Sequence, residues 1–190
     1  MHVLVTGASG FLGSYLVKTL LSRDFHVKAF LRKSSDPSNL VKFSKLEIVY
    51  GDLTDQISIV NAISDVDIIF HNGAFFEEWA PYKTFYTHNV LGTQNILEAA
   101  QKKDVERIIY TSTADMYKYS DEYTLSETAQ KHVRGNYQKS KLEAEKILDL
   151  FIANYQFKIT RIRPPGIIGP GNRYMPQRIV NGVSQGKVPV

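Results

Sequence analysis

Short apolar runs of strand length alternate along the chain with longer stretches whose apolar positions recur at helical spacing. The runs fall at residues 3–6, 27–31, 46–50, 66–71, 108–111 and 159–162, each rich in β-branched or aromatic residues. Helical patterning predicts helices over about 11–22, 55–63, 82–102 and 135–153. Pro37 after Asp36 predicts a further short helix start between the second and third strands. Parallel neighbours need crossover connections, so six strands linked by helices imply an α/β, doubly wound parallel sheet with helices on both faces. There is no internal repeat and no low-complexity linker. After Ile162 the segments Arg163-Pro164-Pro165-Gly166 and Gly169-Pro170-Gly171 read as loop, with one more helix predicted near 176–184.

Composition narrows the class without naming it. The 190 residues are 43% hydrophobic and 22% charged, which suits one domain with a sizeable core. A net charge of +4 comes from scattered Lys and Arg with no like-charge run, so a nucleic-acid partner is not expected. Cysteine is absent, which excludes a disulfide framework, a thiolate metal site and a thiol nucleophile. No metal site is expected. The first strand begins at His2, leaving no room for a signal peptide, and no apolar run approaches the ~20 residues of a membrane span. The expectation is a soluble, cytoplasmic protein with no membrane partner.

The first chemistry-bearing motif closes the first strand: Thr6-Gly7-Ala8-Ser9-Gly10-Phe11-Leu12-Gly13. A glycine loop between a strand and an amphipathic helix is the context in which such a pattern cradles a pyrophosphate. Gly7 permits the tight turn, Gly10 lets the backbone approach the phosphates, and Gly13 lets the helix pack closely. The N–H groups of the helix start, around Ser9, Phe11 and Leu12, face the anion. The second strand ends Leu31-Arg32-Lys33-Ser34, where an acidic residue would bind the ribose hydroxyls of NAD. Arg32, helped by Lys33 or Ser34, instead suits a 2′-phosphate, which favours NADP and leaves NAD open. The third strand ends Gly51-Asp52-Leu53, placing Asp52 either by the adenine or in a turn that caps the next helix.

The second motif is Tyr137-Gln138-Lys139-Ser140-Lys141. On a helix, Tyr137 and Lys141 share one face, and that face continues through the apolar Ala144 and Leu148. The lysine therefore points inward and needs a partner, which a cofactor ribose would supply. Its charge is expected to lower the pKa of the nearby phenol. The fifth strand ends Thr111-Ser112-Thr113, a hydroxyl cluster where catalytic groups gather in such sheets. Ser112 or Thr113 would hydrogen-bond the reacting substrate oxygen or cap the strand end.

Together with His71-Asn72-Gly73-Ala74, Asn89-Val90-Leu91-Gly92-Thr93 and the segment from Arg163-Pro164 to Gly169-Pro170-Gly171, these motifs make the chain resemble the extended short-chain dehydrogenase/reductases, the NAD-dependent epimerase/dehydratase superfamily. The resemblance runs from His2 to about Lys187 and implies a Rossmann-type fold. Its Val-Tyr-Gly segment is Met116-Tyr117-Lys118 here, which puts the catalytic hydroxyl on Thr113. It implies Tyr137 as general acid/base, Lys141 as the residue that holds the ribose and tunes the tyrosine, and Asn89 in the proton-relay region. It further implies cofactor contacts from Asn72, Gly73, Ala74, Thr111 and Ser112. The loop of Pro164, Gly166 and Ile167 falls near the nicotinamide amide. Ala74-Phe75-Phe76-Glu77-Glu78-Trp79 looks like the branch of 3β-hydroxysteroid dehydrogenases and dihydroflavonol reductases. Phe75, Phe76, Trp79, Tyr82, Phe85 and Tyr86 form an aromatic patch that lines an apolar substrate pocket, packs helices, or makes a homodimer contact. Residues 1–190 are thus expected to be the dinucleotide-binding domain, with the region that builds the substrate pocket lying beyond them. The expected activity is NADP-dependent interconversion of a secondary alcohol and a ketone on a small-molecule substrate. The alternatives are a sugar-nucleotide epimerase/dehydratase and a non-catalytic dinucleotide sensor.

Overall fold

The computed structural model describes residues 1–40, 43–77, 79–118, 126–172 and 184. Six strands form: β1 (His2–Thr6), β2 (His26–Leu31), β3 (Leu46–Tyr50), β4 (Ile68–His71), β5 (Arg107–Thr111) and β6 (Ile159–Ile162). All neighbours are parallel, in the order β3-β2-β1-β4-β5-β6. The helices are α1 (Phe11–Ser22), α2 (Gln56–Ala62), α3 (Tyr82–Phe85), α4 (Gly92–Lys102) and α5 (Asn136–Tyr155).

Both faces of the sheet are covered, which is why its strands read as continuous apolar runs. Leu4 faces one core with Ile59, Ile69, Ile96, Leu97, Ile108 and Leu148, packed under α2, α4 and α5. Val3 and Val5 face the other, with Val17, Leu20, Val27 and Leu31 under α1. Each such side chain contributes about 1.5–3 kcal/mol by leaving water. Connections leave β1 for β2 on one side, while β4 joins it on the other. A crevice therefore opens beyond the carboxyl ends of β1 and β4, where Thr6 pairs in register with His71.

Three expectations need correction. Between β2 and β3 no helix starts at Pro37. The Asp36 carboxylate instead accepts the Ser38 N–H at 2.9 Å, and the Leu40 N–H bonds the Pro37 carbonyl, closing a turn. The stretch 82–102 is not one α-helix: α3 passes into a π-helical turn, Tyr86–Leu91, before α4. That wide turn aims Asn89 inward, where its side chain bonds both backbone groups of Phe75. The fourth strand begins at Ile68, not Val66. Val66 is buried in a turn whose N–H bonds the Ile63 carbonyl, so its apolar character reports burial rather than strand. The helix expected near 176–184 lies, apart from Ser184, outside the described residues.

Candidate active site

The glycine loop is held by close backbone approach. Gly7 has φ 65°, and a Cβ there would come within 2.8 Å of the Gly73 Cα. A Cβ on Gly13 would sit 2.1 Å from the Gly7 carbonyl oxygen. Gly13 thus packs α1 against the loop itself. Gly10 precedes α1 as an extended N-cap residue with no side-chain cap, so no side chain competes there for the helix's first N–H groups. These groups open onto a cleft of about 530 Å³ along the crevice.

Of the residues expected to contact a dinucleotide, Gly7, Ser9, Gly10, Phe11, Leu12, Arg32, Asp52, Leu53, Asn72, Gly73 and Ala74 line this cleft. Gly13, Lys33, Thr111, Ser112, Tyr137 and Lys141 do not, and Lys33 is exposed just outside. Sequence reasoning missed Phe30, Ser35, Gly51 and His88, which also line it. His88 arrives there on the π-helical turn and stacks on Phe75 with ring centroids 5.6 Å apart. Partial burial raises the Asp52 carboxyl, but hydrogen bonds from the Thr54 N–H and hydroxyl, with help from His88 and Arg32, hold it below the usual range. The cap of α2 is Asp55, not Asp52: its carboxylate accepts the N–H groups of Ile57 and Ser58.

Tyr137 lines a second cavity of about 400 Å³, which shares Phe76 and Glu77 with the cleft. Phe76 meets the Tyr137 ring edge-on at 4.8 Å. Burial pushes the Tyr137 phenol up to about 12, and the Asp115 carboxylate adds repulsion. The expected depression of this phenol by Lys141 is therefore absent. The reason lies in Lys141 itself. It is 2% exposed, its Nζ donates to the Thr111 carbonyl at 2.6 Å, and it sits 4.1 Å above the Tyr110 ring. Burial pushes the ammonium down to about 7, with Glu145 opposing, so near neutrality it carries only part of its charge. Its inward aim is as expected, but its partner is a backbone carbonyl.

Thr113 and Ser112 are both buried at the end of β5. Thr113 Oγ1 accepts the Asp115 N–H at 3.1 Å and caps a short 3₁₀ turn, Ala114–Met116. Ser112 Oγ is buried near Glu145 and has no hydrogen-bond partner among the described residues. Asn89 Nδ2 donates to the Ser140 hydroxyl, which donates to the Tyr137 carbonyl, so Asn89 touches the Tyr137 helix directly. Pro164, Gly166 and Ile167 line neither cavity. Their loop is anchored instead: the Pro164 carbonyl accepts the Ala114 N–H, the Tyr15 hydroxyl donates to the Pro170 carbonyl, and Gly169 abuts Phe11.

The aromatic patch divides. Phe85 is buried and meets Phe75 edge-on, so it packs the helices. Phe76 and Trp79 face the second cavity, and Tyr82 donates to Glu143 on α5. The residue most clearly missed is Glu145. It is 1% exposed and takes two bonds of 2.8 Å from Arg163 and one of 3.2 Å from Lys131. Burial raises its carboxyl, but Arg163 and the surrounding charges outweigh this and hold it at about 2. It lies four residues beyond Lys141, a helical spacing that could have revealed it.

A crossover-built parallel sheet with a glycine cradle at its switch point and a Tyr-x-x-x-Lys helix beside it defines a dinucleotide-binding α/β domain. The chain belongs to the NAD dependent epimerase/dehydratase family, whose pattern matches residues 3–189. It is 30% identical over 197 residues to the 2-alkyl-3-oxoalkanoate reductase of Stenotrophomonas maltophilia (strain K279a), covering 99% of this chain and 57% of the relative. It is 34% identical over 201 residues to the 3-beta-hydroxysteroid dehydrogenase of Mycolicibacterium neoaurum, covering 100% and 54%. Its fold is similar to that of DesIV, a dTDP-glucose 4,6-dehydratase from Streptomyces venezuelae solved with NAD bound. The TM-score is 0.86 at 26% identity, covering 100% of this chain and 64% of DesIV. The chain thus spans about half the length of the curated relatives it matches. The expected family and its hydroxysteroid dehydrogenase likeness are borne out. Among the described residues no helix is long and apolar enough to cross a membrane.

Proposed function

We propose that this chain is the dinucleotide-binding half of an NADP(H)-preferring oxidoreductase that interconverts a secondary alcohol and a ketone on a small, apolar or cyclic substrate. The observation that carries this reading is the shared wall of the two cavities. Phe76 and Glu77 border both, so a substrate beside Tyr137 adjoins a dinucleotide lying over the glycine loop. The residues fit such a cofactor: a side chain at Gly7 would fill the cradle, and Arg32 lines the cleft where a 2′-phosphate would sit.

A bound reduced nicotinamide supplies the hydride for the carbonyl carbon. Tyr137 gives its phenolic proton to the carbonyl oxygen, and the Thr113 hydroxyl orients that oxygen. Lys141 would hold the ribose, which would add to the bond its ammonium already makes to the Thr111 carbonyl. In the reverse direction the phenolate takes the proton back. The described walls of the Tyr137 cavity carry two carboxylates, Glu77 and Asp115, and no Lys or Arg. Such a wall favours a neutral substrate and opposes the diphosphate of a nucleotide sugar.

Sugar-nucleotide epimerisation or dehydration is the second reading, supported by the likeness to DesIV. A non-catalytic sensor is disfavoured because it has no use for an acid/base pair. The test is NADPH oxidation in the presence of neutral cyclic ketones, with UDP- and dTDP-sugars as comparison. Consumption of NADPH with a neutral ketone alone is expected. Conversion of a nucleotide sugar with no ketone turnover would overturn the proposal.

A further inference from the structure

His71 is the one histidine buried in the core among the described residues, and neither role assigned above uses it. It closes β4 at the switch point, opposite Thr6 of β1, the residue that opens the glycine loop. Counting donors and acceptors fixes the direction of every bond around it. Thr6 Oγ1 accepts the N–H groups of Asn72 at 3.1 Å and Gly73 at 2.9 Å, so its own proton goes to His71 Nδ1, 2.8 Å away. His71 Nδ1 is thus an acceptor, and a neutral ring must carry its proton on Nε2. That proton is donated to Thr93 Oγ1 at 3.0 Å. Thr93 passes its own to the Asn89 carbonyl at 2.6 Å. The Asn89 side chain accepts from the Phe75 N–H and donates to the Phe75 carbonyl and to Ser140, whose hydroxyl bonds the Tyr137 carbonyl.

We propose that His71 is a positioning residue: a neutral imidazole of fixed tautomer that ties the strand bearing the glycine loop to the helix bearing Tyr137 and Lys141 through two directional hydrogen-bond runs that meet at Asn89, one ending on its backbone carbonyl and one starting from its side-chain amide. The two runs stand on their own geometry, and only their consequence for turnover rests on the function proposed above. The surroundings keep the ring neutral. Burial, reinforced by the Lys141 charge, pushes it down to about 3, and its other close neighbour is the Tyr110 ring, 5.6 Å away. A protonated ring would turn Nδ1 into a donor facing the Thr6 proton, and the first run would break at its first link.

The test uses the full chain labelled with ¹⁵N-histidine, its His71 signals assigned by their loss in His71→Gln. The expected spectrum shows a pyrrole-like Nε2 and a pyridine-like Nδ1, unchanged between pH 8 and 5. Thr93 then separates bonding from packing. Thr93→Val keeps the shape and loses the hydroxyl; Thr93→Ser keeps the hydroxyl and loses a methyl. The Asn89 side-chain amide hydrogens are expected to exchange about tenfold faster in Thr93→Val, the worth of one buried hydrogen bond, and at nearly the wild-type rate in Thr93→Ser. An Nδ1-protonated or mixed tautomer overturns the proposal, as does a Ser variant that loosens Asn89 as much as the Val variant. The wild-type tautomer decides even where Thr93→Val does not fold. None of these measurements needs dinucleotide. Failure of the functional reading appears as absent NADPH binding with the tautomer intact; failure of this inference appears as the wrong tautomer with binding intact.

Discussion

Lys141 is caught between burial, which discharges it, and Glu145, which holds its proton. The sign of the resulting pH dependence is definite. Unfolded, the lysine keeps its proton up to about pH 10.4. Folded, it loses it at about 7. Between these values the unfolded chain binds more protons, so this residue makes stability rise with pH from about 7 to about 10 and leaves it flat below 7. The wild type should therefore gain on Lys141→Met in denaturant titrations run from pH 7 to 9.5 without dinucleotide; a constant difference would show an exposed, ordinary lysine. Tyr137→Phe keeps the ring against Phe76 and removes only the acidic hydroxyl. Dinucleotide affinity should hardly move while turnover falls by about 10²–10⁴-fold, and retained turnover would leave Tyr137 a packing residue. Arg32→Asp should narrow or reverse a preference for NADPH over NADH of about ten- to a hundredfold, read by titration calorimetry. Equal wild-type affinities would remove Arg32 from the site. The residues legible in the sequence were those under a backbone demand or a fixed spacing, such as Gly7, Gly13 and the Tyr137–Lys141 pair. His71 and His88 are placed by partners far along the chain, and a lone His announces no partner. The phenol of Tyr137 was misread because the inward aim of Lys141 was legible and its loss of charge on burial was not.

At the scale of elements, the strands and helices were legible because burial on both sheet faces leaves unbroken apolar runs, and the helix faces repeat at 3.6 residues. What escaped were local exchanges of hydrogen bonds: the Asp36 turn, the π-helical turn at Tyr86–Leu91, and the helix ends. Helices α1 and α4 stop at Asp24 and Asp104, with φ of 68° and 53°, where the Phe25 and Val105 N–H groups reach back to Leu20 and Ala100. Glycine usually marks such a stop, and aspartate hid it. Asp104→Gly relieves the left-handed strain and should raise stability by about 0.5–1 kcal/mol in urea titrations. A loss of stability would mean the Asp104 side chain holds the turn. Helix α5 is tied to the residue after β6 by Glu145 and Arg163. Removing one partner strands a buried charge, so Glu145→Gln should cost about 3–5 kcal/mol, and Glu145→Met with Arg163→Met should cost clearly less than the two single changes summed. Additive losses in that double-mutant cycle would show that the pair does not couple helix to sheet.

For the whole molecule, the sheet places the glycine-loop cleft and the Tyr137–Lys141 helix within 190 residues, while the curated relatives run to about twice the matched length. Binding and turnover should therefore separate in this chain. The glycine cradle, Arg32 and Asp52 lie on β1–β3 and their loops, and the segment after β4 with His88 completes the cleft. Dinucleotide should bind and stabilise the fold, by about 2.7 kcal/mol at a hundredfold excess over Kd. Substrate has less to hold it: among the described residues the Tyr137 cavity is walled by the start of α5, Phe85, Asp115, Phe76, Glu77 and Ala80, and Trp79 stands 92% exposed at its rim. Turnover on a ketone should accordingly be poor beside that of a full-length relative. The outer edge of β6 bears the same mark. Its only described strand neighbour is β5, and Ile162 at its end is 50% exposed. An apolar strand edge of this kind promotes pairing between copies. Sedimentation should show concentration-dependent self-association that Ile162→Lys reduces, while the gain in thermal stability on adding NADPH persists in that variant, because the edge lies away from the cleft. A strictly monomeric chain with ordinary steady-state ketone turnover would show that the 190 residues already hold the substrate site and that the β6 edge needs no cover.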